Sequence, residues 1–119
     1  MCLTYKMDFK ITKDEGYKVF RIKNGKPCGL FRSKNVQYRK NRWYKSTNKV
    51  IENFWADIRY KSGFHIYKNI TSARNLKRCF LRGTVAIYKV QFKDVVAKGR
   101  EFKGKVIVAK QMKLIEEVK

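Results

Sequence analysis

The sequence predicts an α+β fold, an antiparallel sheet of five to seven strands with one main helix, over about residues 72–80, packed on it. Three observations carry that prediction. Apolar and polar residues alternate along most of the chain, the pattern of half-buried strands. Turn residues, Asn24-Gly25 above all, interrupt the alternation at hairpin spacing. One stretch, Thr71 to Phe80, joins a capping residue to apolar residues at helical spacing.

Tyr17 to Lys23 alternates cleanly and then meets Asn24-Gly25-Lys26-Pro27, so a short strand from Gly29 to Arg32 is expected to close a hairpin. Val36–Arg39 and Arg42–Lys45 read as a second pair around Lys40-Asn41. Between Val50 and Tyr60, Ile51, Phe54, Trp55 and Ile58 fall at helical spacing over a short span, which fits a short helix or an ordered loop. Gly63 to Tyr67 is strand-like. Thr71 has the chemistry of a helix N-cap, its hydroxyl accepting from an orphan backbone N–H. Ala73, Leu76, Cys79 and Phe80 then share one face, with Arg74, Lys77 and Arg78 largely on the other. Thr84 to Lys93 is the clearest strand, leading through Asp94 to Gly99 into a turn. The last strand, Lys105 to Ala109, passes into Met112–Ile115.

At 119 residues the chain has room for a single domain, residues 1–119, around one core. A hydrophobic fraction of 44% with 14% aromatics excludes a disordered basic tail. Cys2, Cys28 and Cys79 are too scattered for a metal motif, and His65 is the only histidine, so no metal site is expected. Reduced thiols imply a cytoplasmic chain. No apolar h-region and no run of about 18 apolar residues is present, so neither a signal peptide nor a membrane partner is expected.

Charge is the loudest functional signal. Thirty basic and nine acidic residues leave a formal +21, where a magnitude of about 2–8 suffices for a soluble small domain. Gly16–Ile51 and Ile58–Lys93 contain no acidic residue at all. Such one-signed charge opposes compact folding through self-repulsion and persists where a polyanion neutralises it, most commonly nucleic acid. Biased composition from AT-rich coding, visible in the Lys, Asn, Ile and Tyr content, is the competing explanation.

Two constellations are placed to use that charge. Arg39, Lys40, Arg42, Trp43, Tyr44 and Lys45 mix cations for phosphates with aromatic faces that can stack unpaired bases. Arg74, Lys77 and Arg78, with Arg82, form a cationic helix face suited to phosphate contacts. No helix-turn-helix, zinc finger or RNP-type motif is visible, so backbone-directed binding is expected rather than base readout.

Enzyme signatures are missing: no phosphate-binding Gly-Lys-Ser/Thr loop, no Gly-x-Ser-x-Gly elbow and no His-Glu-x-x-His. Asp14-Glu15 and Glu116-Glu117 lie in terminal polar runs and read as solvated, and no cofactor is called for. His65 remains a weak catalytic candidate, as a base or a substrate-orienting donor. The structural alternative is a partly buried imidazole donating to a backbone carbonyl. Cys79 or Cys2 could serve as its nucleophile, although Cys79 reads as core.

Met1-Cys2-Leu3, Tyr17-Lys-Val-Phe-Arg, Arg42-Trp-Tyr-Lys, Gly63-Phe-His-Ile-Tyr with Ala73, Val95-Val-Ala-Lys-Gly99 and Val108-Ala-Lys-Gln-Met-Lys-Leu-Ile115 occur in this order. That order resembles a group of small uncharacterised phage and bacterial proteins and implies a compact fold of mobile-element origin. Gly63-Phe-His-Ile-Tyr with Ala73 also resembles, more weakly, ADP-ribosyltransferase-like domains. There such a strand and a small residue in the next helix line a nicotinamide pocket. That resemblance implies NAD chemistry near His65, with Glu101 or Glu116 supplying the acid of a late strand.

The expected function is therefore a small basic phage-type protein that binds nucleic acid or a ribonucleoprotein through phosphates. A host-takeover or anti-defence role, including against a CRISPR-type complex in the host cytoplasm, would extend it. The alternatives are a minimal NAD-dependent transferase and an inhibitor that meets an acidic patch of a host protein.

Overall fold

The computed structural model describes residues 5–6, 8–30, 36–46, 50–53, 58–61, 63–101 and 104–119, with 5–6, 50–53 and 58–61 described by backbone alone. β1 (Tyr5–Lys6) is a two-residue piece. β2 (Glu15–Lys23) realises the alternation seen from Tyr17. Asn24 and Gly25 both take positive φ, 53° and 74°, as a two-residue turn matched to strand twist requires. β3 (Lys26–Cys28) follows at once and pairs Lys23 with Lys26. The hairpin is thus where the sequence put it, but the returning strand starts three residues early and includes Pro27. Proline is tolerated there because β2 is the only strand that β3 pairs with, and on its other side the Pro27 carbonyl accepts from the Tyr38 N–H, which needs no N–H from the proline. Gly29 and Leu30 are buried beyond it, and Phe31 and Arg32 lie outside the described residues.

The expected second hairpin does not form. β4 (Trp43–Lys45) pairs with the last strand, while Gln37 bridges back to Cys28. In the stretch at 50–60 the described residues are strand: β5 (Val50–Asn53) and β6 (Ile58–Lys61) make a separate antiparallel pair. Valine and isoleucine in short runs favour strands, and helical spacing over so few residues is a weak signal. Residues 54–57, including Phe54 and Trp55, lie outside the described set.

β7 (Phe64–Tyr67) leads into α1 (Ile70–Lys77). The helix starts before Thr71 and ends before Phe80. Asn69, extended at φ −116° and ψ 140°, is the cap residue, with no side-chain hydrogen bond to the helix. Ser72, Ala73 and Leu76 are the buried face, whereas Cys79 falls past the last turn and is exposed rather than core.

β8 (Val85–Glu101) and β9 (Gly104–Val118) form one long antiparallel hairpin. The predicted turn at Asp94–Gly99 is part of β8. Asp94, at φ 59°, and register shifts at Lys89/Val90 and Val95/Ala97 bend the ribbon without ending it. Because of that bend, β8 pairs with β2, β2 with β7, β7 with β9, and β9 again with β8, so the hydrogen-bonded strands close into a ring. With β1, β3 and β4 attached, the sheet has seven strands and the fold is α+β.

Both faces are apolar. One holds Val19, Tyr67, Val85, Ile87, Val106 and Val108 against Ala73 and Leu76 of α1. The other gathers Phe20, Ile66, Val90, Phe92, Ile107, Met112 and Leu114, closed over by Tyr38. Tyr38 meets Phe20 and Tyr44 ring to ring at 5.4 and 4.9 Å. Among the described residues no helix is long and apolar enough to cross a membrane.

Candidate nucleic-acid interface

Strand alternation and pairing with β9 assemble the first basic constellation. The N–H of Asn41 donates to the carbonyl of Leu114 at 2.8 Å and that of Ser46 to Lys110 at 2.9 Å, pinning both ends of β4. Asn41, at φ 62°, makes the turn that carries Lys40 and Arg42 outward. Tyr44 then points toward the core, where it packs on Tyr38 and its hydroxyl accepts from the N–H of Arg39 at 2.8 Å.

Trp43, half-buried, faces the other way. Its ring meets the Lys93 ammonium 4.1 Å from the centroid and the Lys113 ammonium at 5.1 Å. Lys113 is its cross-strand partner, and Lys93 lies on the adjacent strand. The indole face is therefore occupied by two cations, each attracted by about 0.5–1 kcal/mol at such an exposed site. The surface offers ammonium groups for phosphates here more readily than a bare ring for a base. Lys93 and Lys113 were invisible to sequence reasoning because only strand register brings positions so far apart onto one indole.

Arg39, Lys40, Arg42 and Lys45, on the neighbouring residues, are all exposed. Among the described residues none of these six cations has an ion-pair partner. The nearest acid in sequence, Asp94, accepts instead from the side-chain amide of Gln111.

The second constellation lies elsewhere. Arg74, Arg78 and Arg82 are exposed and Lys77 half-buried at the C-terminal end of α1, beside Val85. Val85 and Lys93 are eight residues apart along β8, at most about 26 Å at strand rise. No residue of the first constellation lines the groove beside α1. A third, unforeseen from the sequence, surrounds Phe9, whose ring has the ammonium groups of Lys68, Lys105 and Lys98 at 5.1, 5.8 and 5.7 Å. Of these, Lys98 is ion-paired with Asp8 at 3.0 Å.

His65 sits in a buried polar cluster rather than on these surfaces. Its Nδ1–H donates to the carboxylate of Glu101, not to a backbone carbonyl, and Tyr67 donates to the other carboxylate oxygen at 3.4 Å. Lys18 donates to the His65 carbonyl at 2.9 Å. Burial holds the imidazole below its usual range against the pull of Glu101. Burial likewise lowers the Lys18 ammonium to about 8, partly opposed by Glu101, and raises the Tyr67 phenol well above 10.0. The histidine and glutamate side chains are only 16% and 5% exposed. Among the described residues every buried side-chain nitrogen and oxygen has a partner, and none cluster as a metal site. The cluster ties β2, β7 and β8 together.

Asp14-Glu15 and Glu116-Glu117 both meet β8, with Glu15 and Glu116 at Lys89. Its ammonium lies 3.0 Å from Glu15, opposite Glu116 in register, with Glu117 facing Tyr88 and Asp14 held by Gln91. Glu101 is buried as well, whereas Asp14 lines one cleft with Lys93, Asp94 follows Lys93 in the chain and Asp8 pairs with Lys98. Compared with known proteins, the chain matches no family model, no curated protein and no solved structure.

Proposed function

We propose that this protein binds nucleic acid, free or within a ribonucleoprotein, through the phosphate backbone. The observation that carries the reading is the pair Lys93 and Lys113 on Trp43, with Arg39, Lys40, Arg42 and Lys45 exposed on neighbouring residues, none of the six in an ion pair among the described residues. Exposed cations without an ion-pair partner repel one another, and a row of phosphates relieves that repulsion while releasing counterions. A phage-type origin would make the natural role occupation of a host nucleoprotein, including a CRISPR-type complex.

The test is fluorescence anisotropy with labelled DNA and RNA between about 50 and 200 mM salt. Six phosphates neutralised correspond to a loss of roughly 10³ in affinity over that range. Flat salt dependence, or no binding to any nucleic acid, removes the reading. A partner captured from lysate that survives nuclease treatment would instead favour an acidic protein surface.

One observation supports a second reading, NAD-dependent group transfer: the Glu101 carboxylate, on a late strand, lies against His65. The enclosure of both side chains works against it, since a nicotinamide needs open space beside them. Thermal stabilisation by NAD that disappears in His65→Ala would establish it.

A further inference from the structure

Beside the C-terminal end of α1 lies a groove of about 290 Å³ with Phe80 and Leu81 in its lining and Arg74, Lys77, Arg78 and Arg82 around it. Leu81 is 81% exposed, the most exposed of the large hydrophobic side chains described. The backbone holds it there: Phe80 N–H donates to the Lys77 carbonyl at 3.1 Å, and the Leu81 carbonyl accepts from Thr84 N–H at 3.1 Å. Arg74 and Lys77 complement the negative end of the helix dipole, and Arg78 donates to the Asn75 side chain at 3.0 Å. Arg82 lies beyond the helix and, among the described residues, makes no ion pair or hydrogen bond. Apolar and cationic side chains lining one groove match a ligand that is flat and apolar at one end and anionic at the other.

We propose that this groove seats one unpaired base of a single-stranded nucleic acid, its neighbouring phosphates resting on Arg78 and Arg82. The inference rests on the nucleic-acid reading and adds the form of the partner. A volume near the lower end of small-ligand pockets, about 300 Å³, holds a base with its sugar but not a peptide helix. In a duplex the bases are stacked inward and cannot enter a concave site. A splayed base of a single strand can, with stacking and apolar contact contributing about 1–3 kcal/mol.

The test compares labelled single strands of about twelve nucleotides, oligo-thymidine and oligo-uridine, with a duplex of the same length. Leu81→Ser removes apolar contact from an exposed position and leaves the melting temperature unchanged. It is expected to weaken single-strand binding about tenfold with no change in salt slope and to leave duplex binding alone. Arg82→Gln is expected to weaken single-strand binding and reduce the slope by about 0.7. If the wild-type protein binds single strands and Leu81→Ser binds them equally well, the inference falls while the nucleic-acid reading stands. An equal loss on the duplex, or a loss confined to an acidic aromatic peptide, also overturns it. Absence of binding to any nucleic acid overturns both.

Discussion

Lys18 carries its charge at a position where burial disfavours it. Below about pH 8 the ammonium is protonated in both folded and unfolded chains, and folding carries the full desolvation cost. Between about pH 8 and the ordinary 10.5 the folded chain releases the proton first, so the unfolded chain binds more protons and stability rises with pH. Tyr67 limits that window: its raised pKa means that above 10.0 the unfolded chain deprotonates first and stability falls. On the acid side, a His65 pKa lowered from 6.5 means the unfolded chain takes up the proton first, and stability is lost as pH drops below 6.5. Urea unfolding should therefore show a gain of about 1–2 kcal/mol between pH 7.5 and 9.5 that Lys18→Met abolishes. A variant with the same rise as wild type would place the effect on the surface lysines. Glu101→Ala leaves His65 and Tyr67 without their acceptor and Lys18 without its counter-charge. A loss of about 3–5 kcal/mol is expected, read from the urea midpoint.

At the scale of elements, the bent β8–β9 hairpin decides the fold, and its end is sterically closed. A Cβ at Gly104 would sit 2.1 Å from the Ser72 hydroxyl oxygen and 2.9 Å from its Cβ. Gly104→Ala should cost about 1–3 kcal/mol by overpacking, and Ser72→Ala in the same chain should recover part of it. Purely additive losses would locate the strain elsewhere. This hairpin also marks where the sequence was legible and where it was not. Alternation gave β2, β7, β8 and β9, and Asn24-Gly25 gave the turn, because these are local preferences. The continuation of β8 through Asp94 was hidden, since Asp94 and Gly99 are turn residues that here lie within a strand, Asp94 just before the register shift at Val95/Ala97 and Gly99 paired regularly with Val106. The partner of β4 was hidden because pairing depends on the ring closing. The helix limits shifted because Asn69 supplies an extended backbone before the first turn while Thr71 lies inside it.

For the whole molecule, the positions of the acids matter as much as the surplus of cations. Glu101 is internal, Glu15 and Glu116 lie at Lys89, and basic groups gather around Trp43, α1 and Phe9. In the two runs read from the sequence, the cations are exposed apart from the half-buried Lys77, while Tyr44 turns to the core. Lys93, Lys113 and the Phe9 group were illegible because each is assembled across strands. Removing Lys93 and Lys113 together, as glutamines, should lower the salt slope of nucleic-acid binding by about 1.8 while leaving the fold intact. An unchanged slope would separate the Trp43 patch from the interface. The most direct measurement is the 260/280 nm absorbance ratio of the native protein purified at low salt without nuclease. The account predicts a ratio well above that of protein alone, falling to the protein value after a high-salt wash. A protein-like ratio from the outset would contradict it.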